Sequence, residues 1–111
     1  MDSEQALQVA LSAAEAGAGE LMAGYGRKPK VSLKGATDLV TEYDFRSEKV
    51  IRGLIARAYP GHLIVGEEEG RSGAERSAYR WYIDPLDGTT NFAHGHPFFA
   101  VSIGLTAADR D

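Results

Sequence analysis

Two carboxylates three residues apart, Asp84 and Asp87, stand in the stretch Asp84-Pro85-Leu86-Asp87-Gly88-Thr89-Thr90-Asn91, directly after the apolar run Trp81-Tyr82-Ile83. Pro85 fixes its own φ and is expected to put Asp84 at the head of a tight turn. Gly88 permits a positive φ or the close approach of a ligand to the backbone. On such a turn both carboxylates can converge on one point, with the Leu86 carbonyl facing it between them. Carboxylate and carbonyl oxygens are ligands for hard cations such as Mg²⁺. Gly88-Thr89-Thr90 then offers N–H groups and hydroxyls to an anion, which suits phosphate if a helix begins there. Asp-Pro-x-Asp-Gly is also an ordinary turn composition, so the turn alone leaves both readings open.

A second acidic stretch, Gly66-Glu67-Glu68-Glu69-Gly70, also follows a short apolar run, Leu63-Ile64-Val65. Three acids in a loop ordinarily mean a solvated surface. Their place changes the weighing, because ligands of α/β sheets gather at the C-terminal ends of the strands. If the two strands are neighbours, Glu67 and Asp84 can meet. Asp44, in Asp38-Leu39-Val40-Thr41-Glu42-Tyr43-Asp44, falls in the first turn of an expected helix. A carboxylate there is favoured by the helix dipole, by about 0.3–1 kcal/mol, and that explains Asp44 without a functional role. His94-Gly95-His96 has only His62 as a further histidine and there is no cysteine, so no zinc site is expected. Lys28, Lys30 and Lys34 read as an exposed basic loop, though they could draw a phosphate. Phe98 and Phe99 read as core.

The elements that must position these residues follow from periodicity. Residues 3–24 form an expected helix, capped by Asp2 or Ser3, with Leu7, Leu11, Ala14, Ala18, Leu21, Met22 and Tyr25 as its apolar stripe. Gly17 and Gly19 weaken it by about 1 kcal/mol each relative to Ala, and could allow close packing. Residues 27–37 read as a loop with a short extended piece. A second helix is expected from Thr41 or Glu42 to Tyr59, with Phe45, Ile51, Leu54, Ile55 and Ala58 inward. Thr41 and Asp44 resemble a capping box with Asp in place of Glu. Three strands are expected, at Leu63–Val65, Trp81–Ile83 and Phe98–Thr106, with a loop or irregular hairpin over Glu67–Ala78. Beyond the last strand, Ala107–Asp111 is turn-like; a turn after a strand normally leads to a partner strand, so these residues are expected to be a piece of something longer.

Composition bounds the rest. The 111 residues allow one modest domain, and Leu, Ile, Val and Phe make up only 24 of them, so any core is thin. Net charge is −4 with no polybasic run, which argues against a nucleic-acid phosphate track or an anionic membrane surface. The absence of cysteine removes disulfides, thiolate zinc sites and cysteine nucleophiles together. The N-terminus lacks the charge and apolar run of a secretory signal, and no apolar stretch approaches the ~20 residues of a membrane helix. A soluble, cytoplasmic α/β chain is expected.

Taken together, Asp38-Leu39-Val40-Thr41-x-x-Asp44, Gly66-Glu67-Glu68, Trp81-x-Ile83-Asp84-Pro85-Leu86-Asp87-Gly88-Thr89-Thr90-Asn91-Phe92 and Pro97-x-x-Ala100-Val101-Ser102-Ile103-Gly104 resemble the N-terminal part of an inositol monophosphatase. The resemblance runs over essentially the whole chain. Thr89-Thr90-Asn91-Phe92 resembles the inositol-phosphatase branch; bisphosphate nucleotidases and histidinol phosphatases usually show Thr-Lys there, and classical fructose bisphosphatases Ser-Ser. Some archaeal and bacterial enzymes of this branch also act on fructose 1,6-bisphosphate.

The resemblance implies the first helices and sheet strands of a layered α/β/α/β/α sandwich. It implies that Glu67, Asp84 and the Leu86 carbonyl hold a first Mg²⁺, that Asp84 bridges to a second joined by Asp87, and that Glu67 touches a third. Gly88 and Thr89 would bind phosphate through backbone N–H groups, with Asp87 beside them. Thr89, hydrogen-bonded to Asp44, would position and help deprotonate the attacking water. Such enzymes hydrolyse small polyol or sugar phosphates, are usually homodimers and are often inhibited by Li⁺. One departure stands out. The family's later Trp-Asp motif, whose Asp completes the second metal site, is absent, since Trp81 is the only Trp. These 111 residues alone are therefore expected to be the inactive N-terminal portion of a phosphatase domain. Fructose-1,6-bisphosphatase or bisphosphate nucleotidase activity is the alternative within phosphatase chemistry, and a non-catalytic protein that binds cations or a partner is the alternative from another class.

Overall fold

The computed structural model describes residues 1–27, 29–34 and 38–107. Helix α1 spans Ser3–Gly24 and starts where Asp2 Oδ1 accepts the Glu4 and Gln5 N–H groups. Strands β1 (Val31–Lys34) and β2 (Asp38–Thr41) pair antiparallel as a small separate sheet. Helix α2 spans Glu42–Ala58, and its first turn carries the expected capping box between Thr41 and Asp44. Next come β3 (Leu63–Gly66), β4 (Gly70–Ser72), β5 (Tyr79–Asp87), the short helix α3 (Thr89–Ala93) and β6 (Ala100–Ala107).

The last four strands form one sheet in the order β4-β3-β5-β6. Only β3 and β5 run parallel, with Gly66 opposite Ile83; β4 and β6 flank them antiparallel. That parallel pair decides where the site lies, because it puts the C-terminal ends of β3 and β5 side by side.

The core lies between α1, α2 and this sheet. Ile51 and Ile55 of α2 pack with Ala6 and Ala13 of α1 and with Ile64, Trp81 and Ile83 of the sheet. A second cluster, Leu21, Tyr43, Leu86 and Phe92, sits under α3. The contact face of α1 differs from the expected one. Its buried residues are Ala6, Ala13, Gly17, Leu21 and Gly24, whereas Leu7, Leu11 and Met22 are 56%, 49% and 60% exposed. Steric closeness is the reason. A Cβ on Gly17 would lie 2.6 Å from Ile51 Cδ1, and one on Gly24 would overlap the Tyr43 ring, so only small residues let α1 approach α2. Gly19 has open space around it and plays no part in this contact.

Two other packing expectations also change. Phe45 on α2 is largely exposed, because Tyr43, Asp44, Ser47 and Glu48 share the inward face with Ile51 and Ile55. Phe98 is 75% exposed and is not core, while Phe99 does pack, edge-on to Phe92. Of the three lysines, Lys30 is exposed; Lys28 and the Lys34 side chain lie outside the described residues, and of the turn expected over 107–111, Ala107 ends β6 while the rest lies outside the described residues.

Candidate functional site

Strand β5 continues through the residues read as a tight turn. Asp84 pairs with Ser102, but the next pairing is Asp87 with Ala100, so β5 holds one more residue than its partner there. The segment is therefore a β-bulge. Pro85, with no N–H to give to the ladder, sits where the ladder is already broken. The bulge is pinned from beneath: Ser47 Oγ on α2 donates to the Pro85 carbonyl at 2.9 Å, a fully buried bond. Within it, the Leu86 N–H donates to Asp84 Oδ1 at 3.3 Å.

The turn after β3 meets this bulge. Gly66 and Gly70 pair across a hairpin whose three loop residues are Glu67, Glu68 and Glu69. Gly70 follows at φ +73°, a left-handed conformation that favours glycine. The Glu67 N–H donates to the Ile83 carbonyl at 3.3 Å, and Glu67 and Asp84 line one cleft at the ends of their strands. The expected meeting of Glu67 and Asp84 therefore occurs, and it follows directly from the parallel pairing of their strands.

Asp44 reaches the same place from α2. It is buried; its Oδ2 accepts from Thr41 N–H at 2.8 Å and from the Thr41 hydroxyl at 2.7 Å. Its Oδ1 accepts from the Thr89 hydroxyl at 2.9 Å. Thr89 Oγ1 also lies 3.1 Å from the Leu86 carbonyl. The carboxylate thus caps a helix with one oxygen and holds the Thr89 side chain with the other. Gly88 precedes α3 at φ +91°, and a Cβ there would lie 2.8 Å from the Phe98 carbonyl, so both conformation and space require glycine. Asp87 is exposed at the end of β5.

Electrostatically the site is short of positive charge. Burial pushes the Asp84 carboxyl above its ordinary value. The Leu86 N–H works against that shift, the Asp87 charge adds to it, the Glu67 side chain opposes it, and the Asp44 charge adds a little more. No cluster of three or more His, Cys, Asp or Glu side chains poised for a metal ion occurs among the described residues. The oxygen donors at hand are the Glu67 and Asp84 side chains together, Asp87 near them, and the Leu86 carbonyl behind. His94 and His96 lie apart from this group, their rings 6.4 Å apart and edge to face.

Sequence reasoning missed three residues that build the site: Ser47, Glu48 and Arg52. Glu48 is fully buried; its Oε1 accepts from Glu68 N–H at 2.9 Å, and its Oε2 from Glu69 N–H at 2.8 Å and from Arg52 Nη2 at 2.9 Å. The available signal was polar residues at 44, 47 and 48 on the same helical face as Ile51 and Ile55.

Known proteins are similar to this chain in sequence and fold. The model of the inositol monophosphatase family matches residues 2–110. A fructose-1,6-bisphosphatase/inositol-1-monophosphatase from Aquifex aeolicus is 45% identical over 106 residues, which is 94% of this chain and 40% of that protein. A Nus factor SuhB from Pseudomonas aeruginosa is 47% identical over 109 residues, covering 94% of this chain and 40% of its own length. The crystal structure of the extragenic suppressor protein suhB from Bartonella henselae superposes with a TM-score of 0.89 at 40% identity, over 96% of this chain and 42% of that one. The chain thus spans about two fifths of the length of each of these three proteins. A family match over nearly every residue, together with the shared fold, shows that the chain belongs to the inositol monophosphatase family.

Proposed function

We infer that these residues are the N-terminal part of a Mg²⁺-dependent phosphatase domain that hydrolyses a small polyol or sugar phosphate ester. The observation that carries this reading is the meeting of Glu67 and Asp84 at the ends of parallel β3 and β5, beside a Thr89 hydroxyl already bonded to Asp44.

The donor set fits a hard divalent cation. It is all oxygen, it includes a carboxyl whose ionisation burial disfavours, and the nearby Asp87 and Asp44 charges disfavour that ionisation further, which a cation would offset. Glu67, Asp84, Asp87 and the Leu86 carbonyl would hold Mg²⁺ there. When bound, such ions polarise a phosphoryl group and acidify water near neutral pH. The chain's own residues do the rest. Gly88 and Thr89 bind the phosphate through their N–H groups, with Asp87 alongside. The Thr89 oxygen lone pairs orient water; as Thr89 takes the water proton, the Thr89 hydroxyl proton passes along its hydrogen bond to the Asp44 carboxylate, which ends protonated. Thr41 holds Asp44 in the orientation this requires. Action of the complete protein as a cytoplasmic homodimer, and its inhibition by Li⁺, belong to the same proposal.

Fructose 1,6-bisphosphate is the second substrate to consider, because a relative at 45% identity carries both activities in its name. The test is phosphate release by the native gene product from inositol 1-phosphate and from fructose 1,6-bisphosphate, each with Mg²⁺ and with chelator. Release that needs Mg²⁺, and that falls about 10³-fold in Glu67→Gln with an unchanged circular dichroism spectrum, is expected. Release that survives the chelator or the substitution overturns the reading. Mg²⁺ binding without turnover would make the protein a cation-binding member instead.

A further inference from the structure

Among the buried polar groups of α2, Glu48 has no role in the mechanism above, yet it accepts as many hydrogen bonds as Asp44 does. Its carboxylate is fully buried and receives three N–H groups. A buried carboxylate is costly to desolvate, and an apolar side chain of similar volume would fill the space at least as well. What an apolar side chain could not do is take two consecutive backbone N–H groups, those of Glu68 and Glu69, on separate oxygens. That arrangement fixes the backbone on the far side of Glu67. On the near side, the Glu67 N–H is held by the Ile83 carbonyl. Gly66 makes the contact possible, because a Cβ there would overlap the Glu48 carboxylate.

We propose that Glu48 is a positioning residue which, by holding the 67–69 turn through the Glu68 and Glu69 amides, sets Glu67 against Asp84 for cation binding. This rests on the reading of Glu67 and Asp84 as cation ligands. Arg52 has a different part: it neutralises Glu48 and ties β4 down through the Gly70 carbonyl and the Ser72 hydroxyl. Its backbone contact is at Gly70, which follows the 67–69 turn.

The test is Mn²⁺ binding by the protein, read as loss of the free-ion electron paramagnetic resonance signal. Glu48→Gln keeps the volume but has one oxygen for two N–H groups and turns an amide NH₂ towards the other. It should weaken Mn²⁺ binding about tenfold while the protein stays folded, as loss of an outer-shell partner does. Glu48→Asp should restore part of the affinity. Arg52→Met should lower the melting temperature at least as much as Glu48→Gln, yet leave the Mn²⁺ affinity within about threefold, because the two amides keep their acceptor. Glu67→Gln should lose most binding. If Glu48→Gln binds like the parent while Glu67→Gln does not, the positioning role is wrong and the cation site stands. If affinity ignores Glu67→Gln, the cation site fails and the role of Glu48 falls with it. If Arg52→Met weakens binding as much as Glu48→Gln, the loss tracks stability and the proposal is overturned. Should Glu48→Gln not fold, parent-like affinity in Glu48→Asp overturns it equally.

Discussion

The parallel pair β3–β5 ends in carboxylates on one side and in rings on the other. At the C-terminal ends of the two strands stand Glu67, Asp84 and Asp87. At their N-terminal ends His62 stacks on Tyr59, with centroids 4.5 Å apart and planes 3° from parallel, and contacts Tyr79 and Trp81. The Trp81 indole N–H donates to His62 Nδ1 at 3.0 Å. Partial burial disfavours charge at both ends: it raises the Asp84 carboxyl and lowers the His62 imidazole. The responses differ. At the ring end, a neutral imidazole is what the Trp81 N–H needs as acceptor, so burial and hydrogen bonding agree. At the carboxylate end they conflict, a conflict that the proposed cation would relieve. The same two strands thus carry one end built for stability and one where we propose a ligand.

The largest effect that would sharpen this contrast is at the ring end. Trp81 is fully buried, and Trp81→Ala should lower stability by about 3–5 kcal/mol in urea unfolding. A loss under 1 kcal/mol would remove the distinction. At the other end, Asp84→Asn should raise the melting temperature of the metal-free protein at neutral pH, by roughly 1–4 °C. The folded-state value of Asp84 is raised, so its contribution is intact below its ordinary 3.8 and is lost as pH rises through the folded value. The amide avoids that loss and keeps an oxygen for the Leu86 N–H. A lowered melting temperature would place Asp84 among the stabilising groups. The smallest effect concerns His62. Its folded-state value is lowered, so stability from this group is intact above 6.5 and is lost as pH falls from there through the folded value. The parent should therefore lose one to a few °C more than His62→Phe between pH 7.5 and 5. Parallel pH curves would show that the stack tolerates imidazolium.

Much of the site was legible in the sequence where chemistry and local geometry coincide. The Thr41–Asp44 capping box needs only a three-residue spacing, and the Glu67–Asp84 meeting needs only two strands running the same way. Three features were not legible, each for a physical reason. Asp84-Pro85-Leu86-Asp87 reads as a turn because Pro and Gly mark turns, but pairing with β6 stretches it into a bulge, and register across strands is not a local property. Leu7, Leu11 and Met22 form a cleaner apolar stripe than Ala6, Ala13 and Gly17, yet the interhelical distance selects the smaller residues. Ser47 and Glu48 fall outside the apolar stripe expected for α2, and their partners, the Pro85 carbonyl and the Glu68 and Glu69 amides, come from elsewhere in the chain.

One turn of α2 holds three separate pieces of chain: Asp44 the Thr89 side chain, Ser47 the bulge and Glu48 the acidic hairpin. That places a limit on where the protein can change length. One residue inserted between Thr41 and Ile51 turns everything beyond it by about 100°, breaking the bond to the bulge or to the hairpin and moving Ile51 off the core. The loop over 74–78 between β4 and β5 has no such duty and can lengthen at little cost. Among related sequences, gaps belong in that loop and not in the first half of α2.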